Sequence, residues 1–374
     1  MRYYIISGEA SGDLHGSNLV KQIRSADTKA EIRGFGGDLM EKAGTVLARH
    51  YKQMSFMGFI EVLFNLRKIF NNLNYCKQDI SAFKPDALIF IDFSGFNLRV
   101  AQWAKTQGFR THYYITPQIW ASRENRIAKI KSSIDHLYVI LPFEPDFYAK
   151  HQVKVNFVGH PLIDAIQQYK NTAEVKETPK KPLIVLLPGS RKQEIKKMLP
   201  IMSSVCNAPN EYQYIVAGAS HIEKAFYESH LKKSIEVRFN QTYDLLERAH
   251  AALVTSGTAT LETALFKVPQ VVCYKANALT YFIAKQIIDL KYISLVNIIL
   301  DREAVTELIQ NKLTTRNLSQ ALAAVLDSTK RAQLNKDYAE LEKSLGQEGA
   351  SERAAKLIIE KTKQQLNSST TLSD

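Results

Sequence analysis

Cysteine is scarce in this chain. Cys76, Cys206 and Cys273 are the only three in 374 residues, and they form neither a CxxC pair nor a zinc spacing. That excludes a disulfide scaffold and a zinc module, and fits buried thiols in a reducing compartment. Long apolar runs are also missing. None reaches the ~18 residues of a membrane-spanning helix, and the apolar start at Met1–Ser7 is too short for a signal peptide. The expected location is therefore the cytoplasm, or the cytoplasmic face of an inner membrane as a peripheral protein. The dinucleotide fingerprint GxGxxG is absent too. Gly8, Gly12 and Gly16 are spaced by four, which disfavours a Rossmann NAD site.

What is present is globular: 45% apolar and 23% charged residues, in a length that suits two α/β domains. The net charge of +12 favours acidic partners such as phosphorylated small molecules, anionic lipid or nucleic acid, or else reflects solvated lysines. Arg123, Arg126, Lys129 and Lys131 follow Trp120, with spacings that place most of them on one side of a helix.

Short apolar runs alternate with helix-like stretches throughout. Strands are predicted at 2–7, 30–35, 87–92, 111–115, 136–141 and 155–158, then at 182–187, 213–217, 234–238, 251–255 and 270–274. This alternation implies βαβ units and parallel sheets. The polar stretch 167–181 reads as a linker between domains at 1–166 and 182–366, with a last helix able to pack back on the first domain. Residues 367–374 (NSSTTLSD) read as a disordered tail. Residues 54–76 are rich in Phe, Leu, Ile and Met, with Arg67 and Lys68 among them. They form either an amphipathic helix on the first sheet or an apolar surface for acyl chains or membrane.

Four strand-end motifs carry ionisable or phosphate-binding groups. The first, Ser7-Gly8-Glu9-Ala10-Ser11-Gly12-Asp13-Leu14-His15-Gly16, follows the first strand. Its backbone can approach an anion at a helix N-terminus, and it places Glu9, Asp13 and His15 where open α/β sheets bind ligands. Asp13 reads equally as a helix cap. In the second, the apolar strand 87–91 delivers Asp92 at its carboxyl end, where it can act as a general base. Asp86, before the strand, belongs to the opposite end or to a turn after Pro85. In the third, Leu187-Pro188-Gly189-Ser190-Arg191, the backbone N–H groups of Gly189 and Ser190 and the Arg191 fork suit a phosphate. In the fourth, a strand runs into Thr255-Ser256-Gly257-Thr258-Ala259-Thr260 and then a helix bearing Glu262. This is either a pyrophosphate seat with Glu262 toward a ribose, or an ordinary capped helix.

Together these segments resemble the lipid-A-disaccharide synthase family over nearly the whole chain. The resemblance rests on SGEASGD at 7–13, GFGG at 34–37, MGFIEV at 57–62, TPQIWA at 116–121 with Arg123, LPFE at 141–144, VGHPL at 158–162, LPGSR at 187–191, TSGTATLE at 255–262 and SLVN at 294–297 with Asp301-Arg302-Glu303. It implies an α/β protein of two facing Rossmann-like domains, the GT-B architecture, and an inverting glycosyltransferase of lipid A biosynthesis. The family's donor is UDP-2,3-diacylglucosamine and its acceptor is 2,3-diacylglucosamine 1-phosphate. The products are a β-1,6-linked tetraacyl disaccharide 1-phosphate and UDP. No metal or other cofactor is implied. Asp92, Glu9 and Asp13 become candidates for the base, and Arg191 for charge stabilisation. Gly189, Ser190, Arg191, Ser256, Gly257, Thr258, Ala259, Thr260, Glu262, Asn297, Arg302 and Glu303 become donor contacts, and Met57, Phe59, Trp120 and Arg123 acceptor or acyl contacts. The expected partners are the two sugar substrates, an anionic membrane surface and, in a homodimer, a second copy, with no nucleic acid.

Three departures from the family pattern stand out. Many relatives carry aspartate where this chain has Gly95, in Asp92-Phe93-Ser94-Gly95-Phe96-Asn97. Val296 replaces a proline, and Gln118 and Ser122 replace a more usual serine and tryptophan. Two competing readings are a UDP-N-acetylglucosamine 2-epimerase-like enzyme, against which the apolar 54–76 stretch argues, and a basic nucleic-acid-binding protein supported only by the cluster after Trp120.

Overall fold

The computed structural model describes residues 1–54, 66–121, 124–172, 181–206, 211–276 and 291–370. The chain divides into two compact units, Met1–Asp164 with Gly346–Asp374, and Ala165–Leu345.

The first unit runs β1 (Arg2–Ser7), α1 (Ala10–Ala26), β2 (Glu31–Gly36), α2 (Asp38–Lys42), β3 (Val46–His50), α3 (Leu66–Phe83), β4 (Ala87–Ile91), α4 (Ser94–Thr106), β5 (Thr111–Tyr114), α5 (Ile127–Ser133), β6 (His136–Val139), α6 (Glu144–Lys150), β7 (Asn156–Phe157) and α7 (Pro161–Thr172), which ends in the second unit. Its strands form one sheet in the order β3-β2-β1-β4-β5-β6-β7, parallel throughout. Every residue of β4 (ALIFI) is buried, as a parallel sheet covered on both faces requires. Tyr4, Ile6, Phe35, Phe90, Phe96 and Tyr113 belong to the core on one face.

The second unit holds β8 (Leu183–Leu187), α8 (Lys192–Ser204), β9 (Gln213–Gly218), α9 (Lys224–Glu228), β10 (Glu236–Phe239), α10 (Thr242–Glu247), β11 (Ala249–Thr255), α11 (Thr258–Leu265), β12 (Gln270–Tyr274), α12 (Leu295–Leu300), β13 (Thr306–Ile309), α13 (Thr315–Leu326) and α14 (Ser328–Ser344). Its parallel sheet has the order β10-β9-β8-β11-β12-β13. The last helix, α15 (Ala350–Thr370), belongs to the first unit, where it packs on α1. Asp164 fixes its start by accepting from the N–H groups of Gly349, Ala350 and Ser351 at 2.7, 3.3 and 3.0 Å.

Four sequence expectations change. β3 and β13 escape the hydrophobic pattern because both are short edge strands with mostly half-buried residues. Residues 167–172, expected in a linker, complete α7; Tyr169 holds them by donating to Asp244 (2.6 Å) and Glu247 (2.9 Å). The rest of that stretch, 173–180, lies outside the described residues. Residues 367–370, expected in a disordered tail, continue α15, and 371–374 lie outside the description.

In each sheet the strand order reverses once, between β1 and β4 and between β8 and β11. Ligands of open α/β sheets bind outside the carboxyl ends at such a switch. The segments after those four strands are the four motifs singled out from the sequence.

Candidate active site

In the first unit, β1 and β4 end side by side, with Ser7 paired to Ile91. The chain then turns sharply. Asp92 and Phe93 both take left-handed conformations, at φ 43° and 48°. Two consecutive non-glycine residues there cost about 1–3 kcal/mol each and persist only when the surroundings hold them. The holding groups are visible. The Asp92 N–H donates to the Ile115 carbonyl at 3.2 Å. The Asp92 carbonyl accepts from Asn97 Nδ2 at 2.8 Å and from the Tyr113 hydroxyl at 2.6 Å. The Phe93 ring lies against Gly8, where a Cβ would come within 2.3 Å of it.

This turn leaves the Asp92 carboxyl at the sheet's carboxyl end with its pKa raised to about 6. Burial is the main cause and the negative charge of Glu9 adds to it; the Phe93 N–H partly offsets both. Glu9 is the N-cap residue of α1, and its side chain makes no capping bond. On the next turn of chain, Arg126 donates to the Ser94 hydroxyl at 3.0 Å. Trp120 packs edge-on against Phe143 at 4.8 Å. Glu144 is buried beside this loop, accepting from the N–H groups of Ile140 and Leu141 at 3.0 and 2.8 Å and from Thr116 at 3.3 Å. Burial pushes its carboxyl up to about 7.

In the second unit, β11 pairs with β8, Val254 beside Leu187. Gly257 begins α11 at φ 149°, ψ −163°, a conformation essentially reserved for glycine. Among the described residues, nothing lies within 4 Å of where its Cβ would be. The turn is thus open above the N–H groups of Thr258 and Ala259, while that of Thr260 donates to the Gly257 carbonyl at 3.1 Å. Thr260 and Thr263 turn their hydroxyls back onto the carbonyls of Gly257 (2.8 Å) and Ala259 (2.7 Å), so they brace the helix. Ser256 donates to the Ile293 carbonyl at 2.8 Å. Glu262 accepts from the Tyr243 hydroxyl at 3.0 Å, and burial raises its carboxyl. Arg191, exposed, begins α8 and lies 3.8 Å from Glu194.

Several predicted site residues are already engaged elsewhere. Asp13 is buried and accepts from the N–H groups of Gly37, Leu39 and Met40 at 2.8, 3.1 and 3.0 Å. Its carboxylate caps α2, which removes it from the candidates for base. Two glycines of the Ser7–Gly16 motif are required by packing: added Cβ atoms at Gly12 and Gly16 would come within 2.6 Å of Ser7 Oγ and Met40 Sδ. The Ser190 N–H is taken by Glu194 at 3.1 Å, and Gly189, at φ 105°, leaves room for that carboxylate. Arg191 is then the group of the LPGSR turn that can reach an anion. Asn297 is fully buried and saturated. It donates to the Val305 carbonyl and Glu307 at 2.8 and 2.9 Å and accepts from the N–H groups of Ala304 and Val305 at 2.9 Å. Arg302 pairs with Asp337 and Glu340 of α14 at 3.0 and 2.6 Å. Asn297 and Arg302 are therefore engaged in building the loop, while Glu303 stays exposed. His15 is buried and neutral, its pKa lowered to about 4 by burial. Met57, Phe59 and Arg123 lie outside the described residues.

Sequence reasoning missed Glu194, Glu307 and Glu144 as organisers of these turns. Glu307 accepts from the N–H groups of Ile293 and Ser294, at 3.0 and 2.9 Å, and so holds the turn before α12 to which Ser256 is tied. Only Glu194 had a readable signal, three residues after the cap.

The match to known proteins follows the same motifs. The family model described as lipid-A-disaccharide synthetase matches residues 3–361. The chain belongs to the lipid-A-disaccharide synthase family. Its members are glycosyltransferases that use a UDP-sugar. The Geobacter metallireducens lipid-A-disaccharide synthase is 36% identical over 371 residues, covering 96% of this chain and 97% of that one. The Syntrophus aciditrophicus protein of the same name is 35% identical over 368 residues, covering 95% and 96%. Among solved structures, the UDP-GlcNAc 2-epimerase of Methanocaldococcus jannaschii, in complex with UDP-GlcNAc and UDP, superposes with a TM-score of 0.67 at 13% identity, covering 96% of this chain and 99% of that one. The glycotransferase of kitacinnamycin gives 0.64 at 14%, covering 96% and 98%. These likenesses place the fold of two parallel-sheet α/β domains among GT-B proteins.

Proposed function

We propose that this chain joins two acylated glucosamine units as its family does, with Asp92 as the base. The donor is UDP-2,3-diacylglucosamine and the acceptor 2,3-diacylglucosamine 1-phosphate. The acceptor 6-hydroxyl attacks the anomeric carbon from the face opposite UDP. Asp92 takes the hydroxyl proton as the new C–O bond forms. The bond from the anomeric carbon to the diphosphate oxygen breaks, UDP leaves with that electron pair, and the centre inverts.

The observation that carries this reading is the Asp92 turn. A carboxyl held at the topological switch by a strained, fully braced backbone, with a pKa near 6, is ionised at neutral pH yet a stronger base than an ordinary aspartate. In the second unit, the open N-terminus of α11 and the Arg191 guanidinium suit the negative charge growing on the diphosphate. Glu262 suits a ribose hydroxyl. In the first unit, the surface of α3 suits an anionic membrane: Phe70 is 60% exposed and follows the exposed Arg67 and Lys68. No helix among the described residues is long and apolar enough to cross a bilayer.

The test is a product assay with both diacylated substrates. Formation of tetraacyl disaccharide 1-phosphate and UDP is expected. Turnover of UDP-N-acetylglucosamine alone, without an acceptor, would overturn the transferase reading.

A further inference from the structure

Gly95 has no conformational reason to be glycine. It sits in the first turn of α4 without a left-handed φ, and among the described residues a Cβ there would meet nothing within 4 Å. Crowding and backbone geometry explain most of this chain's other glycines, such as Gly8 and Gly189. They do not explain this one.

What lies beside Gly95 is a pocket of about 180 Å³ between α3 and α4. Met54, Ile69, Phe93 and Phe96 line it, with Asn72 and the stem of Arg99 completing the wall. Phe93 and Phe96 stack at 5.4 Å and make one flat apolar side. Arg99 turns its guanidinium back to the Gly95 carbonyl at 2.6 Å, so its charge sits at the rim. Asn72 is occupied by Arg49. The lining is therefore mostly apolar, and Phe93 directly follows Asp92 in the chain. A larger cavity of about 470 Å³ lies at the other end of the sheet, at the start of β2 and β3, away from this chemistry.

We propose that this pocket is a slot for one unbranched acyl chain of the acceptor, and that the missing side chain at position 95 keeps its mouth open. The slot would anchor the sugar beside Asp92 by its hydrocarbon, leaving the hydroxyl to meet the base. The volume limits the occupant. At about 30 Å³ per small group it admits roughly six methylenes, a segment of a chain and not a whole one. A branched or aromatic substituent does not lie along this flat ring face as well as a linear one does. The assignment rests on the acceptor being a diacylated sugar phosphate.

The test reads binding and so does not depend on turnover. Analogues of 2,3-diacylglucosamine 1-phosphate, with one acyl chain varied from butanoyl to decanoyl and then the other, are titrated calorimetrically below their micelle concentrations. For one of the two positions, affinity should rise about fourfold per methylene, then level off once the slot is full. In Gly95→Leu that dependence should flatten. Leucine is a better helix former than glycine and meets open space, so this variant keeps its fold; its melting temperature checks that. Ile69→Trp, which fills the slot from α3, should flatten the same dependence. Equal dependence on chain length in the wild type and both variants, or none in the wild type, overturns the slot. A parallel product assay separates the two readings. Product without chain-length dependence removes the slot and keeps the transferase, whereas dependence without product does the reverse.

Discussion

Asp92→Asn should inactivate the protein and stabilise it at once. The pKa of Asp92 stands at about 6 against an ordinary 3.8. A raised carboxyl pKa means that the folded state holds its proton more tightly than the unfolded one. The group's contribution is thus intact below the unfolded value and is lost as pH rises through the folded value. The gap between the folded and unfolded values corresponds to about 3 kcal/mol. Asparagine removes the charge and keeps the shape. Relative to wild type, the variant should gain about 3 kcal/mol at pH 7.5, and only about 0.5 kcal/mol near pH 4, where the wild-type carboxyl is protonated in the folded state and roughly half ionised in the unfolded one. In a unit of this size the gain corresponds to roughly 6–12 °C in the transition of the first unit. Turnover should meanwhile fall about 10²–10⁴-fold, the range for loss of a general base. Thermal unfolding at several pH values and a product assay measure the two. Asp86→Asn is the comparator. Asp86 sits at the amino end of β4 and accepts from the Arg2 N–H at 2.7 Å, so turnover should be near wild type. A variant at 92 that is less stable than wild type at pH 7.5, or whose difference does not change with pH, refutes the argument. So does a larger loss of turnover at 86 than at 92.

In the wild type, kcat/KM should decline below about pH 6 as Asp92 protonates. Glu9→Gln removes the second cause of the raised pKa and should move that limb a few tenths lower in pH; a rise or no change in the pH–rate profile would detach Glu9 from Asp92. Arg191→Ala should lower kcat/KM about 10²–10³-fold, by analogy with an oxyanion donor, and near wild-type kinetics would remove Arg191 from the mechanism. Asn297→Ala should cost about 3 kcal/mol of stability by stranding the Val305 carbonyl and the N–H groups of Ala304 and Val305. Because Asn297 is engaged in building the loop, urea unfolding should shift far more than the KM for the UDP-sugar measured well below the melting point.

The motifs were legible because each follows a buried strand, and a strand-to-helix turn announces itself through glycine and hydroxyl residues. The switch points were not legible, since strand order is a tertiary fact. Asp92 and Arg191 are the residues to which we assign chemistry, and Asp13, Asn297 and Arg302 are engaged by the fold. Nothing in their spacing distinguishes the two sets. A carboxylate that caps a helix and one that takes a proton are the same residue type at the same kind of strand end. Only the partners separate them: three backbone N–H groups for Asp13, a single one and a like charge for Asp92. The edge strands β3 and β13 went unread for a related reason, because half-exposed strands lack the continuous apolar run that marks central ones.

The return of α15 to the first unit has a consequence for synthesis on the ribosome. The chain emerges from its N-terminus, so α1 is made early while the helix that covers it is made last. All of the second unit, Ala165–Leu345, is translated in between. At about 5–20 residues per second, α1 waits many seconds with an apolar face uncovered. The second unit is under no such delay and can fold as soon as it is out. Order of completion is then the reverse of order in the sequence, and a nascent chain stalled before residue 346 would carry a finished second unit behind an unfinished first.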